Sequence, residues 1–539
     1  MPSATSAPAR RAPWALAVIA GILWALSMPP WGLWPTTFAV VPVLGAALVL
    51  AQARGVRAFA LGTTTGTVAF LGIITWARNI EPGGVLAWPV LSLIEGLYVG
   101  LFALLIAPLL TRRWVAMPAL GFGWVGLEVV RSSLPEHGFG WAQFAYAHVD
   151  GSWLKPLARL GGSHLLTLAV ALFGAVLFES WRQGHDAVAG LPGTRRERAL
   201  AMLPHTQRPL FWIAGLLLVT VLATIEPPAT QGTTDILVIQ GNDRENSVLV
   251  GAALDLAIAQ DHLGVTRGAI ATGGVPDVIV WPESSVDRDP FAPGGEEILA
   301  VLQQAAALAQ GGLVVGIRRD GDDPGTFRNT VSLVAQDGTL TETYDKRQLV
   351  PFGEYVPGRA LLGKIGPLNA VATDGIPGTS PTHLQVATRQ GPVDLAIAIC
   401  FETLFGDIVR DNVIGESGDR LAGIIIASTN NASFGRGSQP AQHLAQSQLR
   451  AIETGRWVVH AAISGTSALI DPDGNVTERT ELFTHATIRA DVPVAVGSTP
   501  YLSMGDIAGK MGLLALLAIL VLRSLVVIQE RRAAPDDEA

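Results

Sequence analysis

Seven apolar runs, each close to the length that crosses a bilayer, crowd the first 226 residues, and an eighth follows near the end. A hydrocarbon core of about 30 Å takes about 20 helical residues. The runs are 13–28, 35–51, 57–77, 85–110, 114–131, 155–179, 209–225 and 507–528. A chain with this pattern is not a single soluble globule, and its 49% apolar and 15% charged content agrees. The first run is short, and the last carries Lys510 and Arg523 near its ends, where long cationic side chains reach the interface. Arg10-Arg11 before WALAVIAGILWALSMPP also reads as a twin-arginine secretory signal. The missing small-residue cleavage site and the further runs just beyond favour a first span.

Charge divides the chain. Through Glu226 there are 15 Lys/Arg against 9 Asp/Glu, and from Pro227 onward 22 against 36, so +6 faces −14. Twelve of the 14 tryptophans lie in the first part, as suits bilayer interfaces. With eight spans, Arg10/Arg11, Arg54/Arg57, Arg112/Arg113, the group Arg195, Arg196, Arg198 and Arg208, and Arg531/Arg532 fall on one side, which the positive-inside rule makes cytoplasmic. Residues 184–208 then form a cytoplasmic loop, and 227–506 an extracytoplasmic domain inserted between the seventh span and the eighth at 507–529, with 530–539 a cytoplasmic tail. No basic stripe with interleaved aromatics points to nucleic acid. One cysteine makes no intrachain disulfide and no zinc or iron–sulfur spacing, so neither metal nor cofactor is expected.

The inserted domain alternates strand and helix signals. DILVIQ (235–240), DVIVWPE (277–283), GLVVGIRR (312–319), DLAIAICF (394–401) and GIIIAST (423–429) read as buried strands. Helical patterns fill 247–271, 295–310 and 443–456. Two hairpins, 329–346 and 464–480, turn on Asp-Gly, which supplies the positive φ of a tight turn. Strands separated by helices give an α/β domain with at least partly parallel sheets.

Active groups in such sheets gather beyond the carboxyl ends of strands. Glu283 ends DVIVWPE, Cys400 ends DLAIAIC, and Lys346 follows a hairpin strand. Alone, each has an ordinary reading: a loop acid, a core thiol, a solvated lysine. Together they make an acyl-transfer site. The thiolate is the attacking species, so a base must take the thiol proton, and Glu283 suits that task. Lys346 and the backbone N–H of Phe401 suit the oxyanion that forms on an attacked carbonyl. Glu354 and Glu402 stand close in sequence to Lys346 and Cys400, as orienting or proton-shuttling groups.

WPE at 281–283, YDKRQLVPFGEYVP at 344–357 and ICFE at 399–402 resemble the nitrilase superfamily, whose Glu-Lys-Cys triad these positions match. Joined to eight spans, the pattern is similar to the apolipoprotein N-acyltransferases, a family of bacterial membrane enzymes. QGN at 240–242, RNT at 328–330 with Asn329, RAIETGR at 450–456, and Glu128, Arg131 and GFGW at 138–141 extend the likeness. The resemblance implies a polytopic α-helical membrane domain with an αββα sandwich. It also implies transfer of an acyl chain from a phospholipid, through a Cys400 thioester, to the N-terminal amine of a diacylglyceryl-cysteine apolipoprotein. The expected enzyme is a monomer in the bacterial cytoplasmic membrane, surrounded by lipid. Phe401, Phe434 and Tyr355 are its implied substrate-contacting residues, with 358–368 read as a lipid-facing arm or a buried loop. Phe401 stands where the family often has tyrosine, and Asn430-Asn431-Ala432-Ser433-Phe434-Gly435 stands where it commonly has Asn-Asp-Ala-Trp-Phe-Gly.

Within the apolar runs Glu95, Glu128 and Arg131 are expensive charges. The spacing of Glu128 and Arg131 predicts an i,i+3 structural pair. The same triad with water as acceptor would make a membrane-tethered amidase, and a silent triad would leave a lipoprotein-binding scaffold. Phospholipid-dependent acylation of Cys400 separates these readings.

Overall fold

The computed structural model describes residues 7–80, 83–135, 138–188, 215, 226–244, 247–359, 373–418 and 420–533. The chain divides into two compact units. Met1–Arg78, Val85–Thr224 and Asp506–Ala539 form one, and Asn79–Gly84 with Ile225–Gly505 form the other.

The first unit is helical. Its described helices are α1 (Ala7–Ser27), α2 (Thr37–Leu50), α3 (Val56–Ile73), α4 (Gly84–Ile106), α5 (Arg113–Ser133), the short α6 (Phe144–Ala147) and α7 (Leu157–Val188), with α13 (Ile507–Ala533) closing the chain. Among the described residues four stretches are long and apolar enough to cross a membrane: Val56–Ile73, Gly84–Leu109, Leu157–Ala187 and Ile507–Leu525. This is fewer than the eight runs suggest. Arg11–Ser27 and Trp34–Leu50 are apolar but shorter, α5 carries Glu128 and Arg131, and the run 209–225 lies, but for Gly215, outside the described residues. Helix α7 also continues to Val188, past the start of the loop expected from 184, and the rest of that loop is outside the described residues. Helices α3 and α4 meet through small residues: a Cβ on Gly62 would stand 2.4 Å from the Val99 carbonyl. Lipid supplies no hydrophobic drive between helices, so such close backbone approach takes its place. Trp24 packs edge-on against Phe70 and Phe144, and Trp124 stacks on Phe144.

The pair expected between Glu128 and Arg131 does not form. Arg131 Nη1 bonds instead to Glu95 on α4 at 3.0 Å and to the Phe139 carbonyl at 2.8 Å. Glu128 accepts from Trp124 Nε1, the Phe144 amide and Thr167 Oγ1. Position on one helix face left open which neighbouring helix would reach in, and α4 did.

The second unit has four layers. One sheet runs β13-β1-β2-β3-β4-β5, from β1 (Thr230–Gln240), β2 (Val278–Val286), β3 (Leu313–Asp320), β4 (Thr326–Val334), β5 (Leu340–Asp345) and β13 (Ala486–Ala495), with the two-residue β6 (Asp374–Gly375) beside β4. The other runs β12-β11-β10-β9-β8-β7, from β7 (Leu384–Thr388), β8 (Gly391–Ile399), β9 (Ile424–Thr429), β10 (Trp457–Ala462), β11 (Ala468–Ile470) and β12 (Val476–Arg479). Strand alternation sorts the layers. Val278 and Val280 meet Leu395, Ile397, Ile424 and Ile426 between the sheets. The alternate Ile279 and Trp281 pack with α8 (Ala252–Gly273) and α9 (Glu296–Ala306). On the far side Ala396 and Ile425 pack with α10 (Gly406–Ile414) and α11 (Gln439–Thr454). The five short α12 residues Pro500–Met504 complete the unit. Helix, sheet, sheet, helix is the sandwich that the resemblance implies, and its central strands β1-β2-β3 and β8-β9-β10 are parallel.

Candidate active site

Two strand ends and a break within a third strand deliver the expected residues, since β2 continues to Val286, past Glu283, which the sequence placed at its end. Cys400 immediately follows β8, in a backbone conformation with φ +48° that side chains other than glycine seldom adopt. Holding it there costs on the order of 1–3 kcal/mol. His443 on α11 opposes that cost, with Nε2 2.9 Å from the Cys400 carbonyl, and Thr403 Oγ1 donates to the same oxygen at 3.0 Å. Lys346 immediately follows β5, its amide bonded to the Asn329 carbonyl. Glu283 lies where β2 departs from its register with β3, beside Ser284 at φ +61°. Gly316 of β3 makes room for that bend, since a Cβ there would stand 2.5 Å from the Glu283 Cα.

Lys346 Nζ is 3.2 Å from Glu283 Oε1 and 3.1 Å from Glu354 Oε1. Asn329 Nδ2 bridges the two acids at 2.7 Å from each. Glu283 also accepts from the Asn430 amide at 2.7 Å, and Glu354 from the Val350 amide at 2.8 Å. The Cys400 sulfur lies 3.9 Å from the Asn430 carbonyl. Thus Asn430 joins the carboxylate and the thiol through one residue.

Burial favours the uncharged amine, yet the Glu283 and Glu354 carboxylates outweigh it and hold Lys346 protonated, above its ordinary range. Burial and then the Glu283 charge push the Cys400 thiol up to about 12, against the pull of Lys346. At neutral pH the sulfur therefore carries its proton, and a base must take it as the bond to a carbonyl forms.

Glu402 braces the site from behind. Its Oε1 accepts from the Arg347 amide at 2.6 Å, the Gln348 amide at 3.2 Å and the Tyr344 hydroxyl at 2.9 Å, and Oε2 from the Ile399 amide at 2.7 Å. One buried carboxylate thus ties the Lys346 segment to the Cys400 segment. Phe401 is buried, with its ring edge-on to Phe405 at 5.2 Å, which leaves little of it to meet a substrate. Phe434 ends the 3-10 turn Ala432–Phe434, and its carbonyl accepts from Asn79 at 2.9 Å. Tyr355 closes a turn with Pro351, its carbonyl accepting from the Phe352 amide at 2.7 Å. Most of the arm 358–368 lies outside the described residues.

Sequence reasoning gave no role to Thr429 and His443 and met Asn431 only within the loop 430–435; the three come from the end of β9, the loop after it and α11. Thr429 Oγ1 is 3.2 Å and Asn431 Nδ2 3.0 Å from His443 Nδ1. The available signal was helix α11, whose His, Gln, Ser and Arg side chains are buried although the pattern reads as half solvated. Among the described residues no group of three His, Cys, Asp or Glu is placed to hold a metal ion.

The carbon-nitrogen hydrolase family matches residues 252–501, and the apolipoprotein N-acyltransferase N-terminal domain matches residues 20–176. An apolipoprotein N-acyltransferase of Geobacter metallireducens is 30% identical over 513 residues, covering 91% of each chain. One of Mycolicibacterium smegmatis is 29% identical over 98% of this chain and 87% of its own. One of Azotobacter vinelandii is 30% identical over 96% of both. Likeness of that extent across both units means that the chain belongs to the apolipoprotein N-acyltransferase family.

Proposed function

We propose that this protein moves an acyl chain from a membrane phospholipid to the N-terminal amine of a diacylglyceryl-cysteine lipoprotein, in two steps through Cys400. In the first, Glu283 takes the thiol proton as sulfur attacks the ester carbonyl. Lys346 and the Phe401 amide stabilise the oxyanion, and lysophospholipid leaves with the proton that Glu283 returns. In the second, the acceptor amine attacks the thioester, Glu283 takes its proton and passes it to the departing sulfur, and the Cys400 thiol is restored. Glu354 and Asn329 hold Lys346 and Glu283 in register. Phe434 and Tyr355 are proposed substrate contacts.

The observation that carries this reading is the ion-paired Glu283–Lys346 couple beside a strained, protonated cysteine. The thioester explains why a thiol serves: it is reactive enough to acylate an amine. Both substrates are anchored in lipid, so a membrane-bound catalyst raises their effective concentration. The eight-span arrangement, with 227–506 on the extracytoplasmic side, belongs to the same proposal and is supported by the arginine distribution.

Purified protein mixed with phospholipid and a synthetic diacylated lipopeptide should release lysophospholipid and triacylated peptide in equal amounts. Release of free fatty acid instead, at the same rate with and without peptide, would make the protein a hydrolase.

A further inference from the structure

The Thr429 hydroxyl has a single proton and two acceptors beside it: His443 Nδ1 at 3.2 Å, and the Cys400 sulfur, whose own proton is directed to the Asn430 carbonyl at 3.9 Å and leaves its lone pairs open. Which one receives it follows from the hydrogen bonds around the imidazole. His443 Nε2 faces the Cys400 carbonyl at 2.9 Å, and a carbonyl only accepts, so Nε2 carries the ring proton. Burial, against the pull of that carbonyl, lowers His443 to about 4 and keeps the ring neutral. A neutral ring protonated at Nε2 leaves Nδ1 one in-plane lone pair. Asn431 Nδ2 lies 3.0 Å from it. The same amide also donates to Gln439 Oε1 at 2.7 Å, which fixes its nitrogen toward the imidazole. With that lone pair filled, the Thr429 proton is left for sulfur. Register brings the two together: Ile399 pairs with Ser428 across parallel β8 and β9, so Cys400 and Thr429 leave the sheet side by side.

We propose that Thr429 donates a hydrogen bond to the Cys400 sulfur as it becomes a thiolate, and that Asn431, acting through His443, aims that proton. Thr429 is then a catalytic residue, and Asn431 and His443 are positioning residues. The inference rests on Cys400 being the nucleophile. The charged and titratable groups facing the sulfur are Glu283, Lys346 and Glu354, with His443 beyond Thr429 and His460 packed edge-on to His443 at 5.3 Å. Glu283, Lys346 and Glu354 keep their partners when Thr429 or Asn431 is changed, whereas His443 Nδ1 loses one donor in either variant.

Cys400 is the only cysteine, so iodoacetamide alkylation of the full chain in detergent micelles, followed by intact mass, reads this thiol alone. At pH 8 the rate scales with the thiolate fraction. Loss of one hydrogen bond to the charged sulfur, partly offset by the greater nucleophilicity of a more basic thiolate, slows T429V about three- to tenfold. T429S restores the rate. N431A frees Nδ1 to draw the hydroxyl away and slows alkylation as well, but adds nothing to T429V in the double variant, because both act on one proton. Wild-type alkylation in T429V overturns the proposal, and so does a full second slowing when N431A is added. Matched melting temperatures qualify each variant. If T429V does not fold, N431A carries the test, and an unslowed N431A overturns it. Alkylation does not require acyl transfer, so this result and the failure of the acyltransferase reading are distinguishable.

Discussion

At neutral pH the Cys400 sulfur holds its proton, because burial and the Glu283 carboxylate push the thiol up to about 12. The nucleophile is thus made during attack and not stored beforehand. Glu283→Gln removes the base while keeping an oxygen for the Asn430 amide, and should lower the single-turnover rate of lysophospholipid release by about 10²–10⁴. A fall of less than tenfold would mean that another group takes the proton. Lys346→Met removes the cation between Glu283 and Glu354. It should cost about 10²-fold or more in the same assay, as the loss of an oxyanion donor does. The unpaired carboxylates should also lower the melting temperature, and an unchanged melting temperature would contradict a structural role for the ion pair. The triad was legible in the sequence because each member sits at the end of an apolar run. Thr429, Asn431 and His443 were not, since only the fold reveals that β9 and α11 close around the same sulfur.

Elements set these positions. Gly316 in β3 lets β2 bend where Glu283 projects, so Gly316→Ala should displace the base and reduce acyl transfer by tenfold or more. A protein that keeps both stability and activity would show that the bend is not needed. Three imidazoles buried in the second unit, His262, His443 and His460, are held below their ordinary range, the first two at about 4, by burial. Their depressed values contribute stability that is present above pH 6.5 and lost as pH falls toward 4, because unfolding lets each ring take a proton. The melting temperature should therefore drop between pH 7 and pH 5, and His443→Gln should flatten that slope. A pH-independent melting temperature in that window would contradict it. The parallel strands β1, β2, β3, β8 and β9 were readable as apolar runs, and both hairpins as Asp-Gly turns, but β10, parallel to β9, was passed over. Strand β13 was not, because its sequence ATIRADVPVA mixes charge with apolar residues at the sheet's edge and gains its place by pairing with β1. Helix α11 was legible as a helix, but the depth at which its polar side chains lie was not.

At the scale of the molecule, apolar helices and an αββα sandwich occur in one chain that belongs to a family of lipid-transferring enzymes. Composition and charge announced the division, since tryptophan collects in one part and acids in the other. The count of spans was less legible: hydropathy finds apolar runs, whereas helix length and internal charges such as Glu95, Glu128 and Arg131 depend on packing. The Glu95–Arg131 pair was hidden for the same reason, as it joins residues 36 apart on separate helices. The claim on which the whole account turns is that a lipid acyl chain rests on Cys400 between two substrates. Intact-protein mass spectrometry after mixing with phospholipid alone tests it most directly. A Cys400 thioester gives one added acyl mass that hydroxylamine removes and that Cys400→Ala never acquires. Active protein that turns over without that adduct, or an adduct that survives in Cys400→Ala, would contradict it.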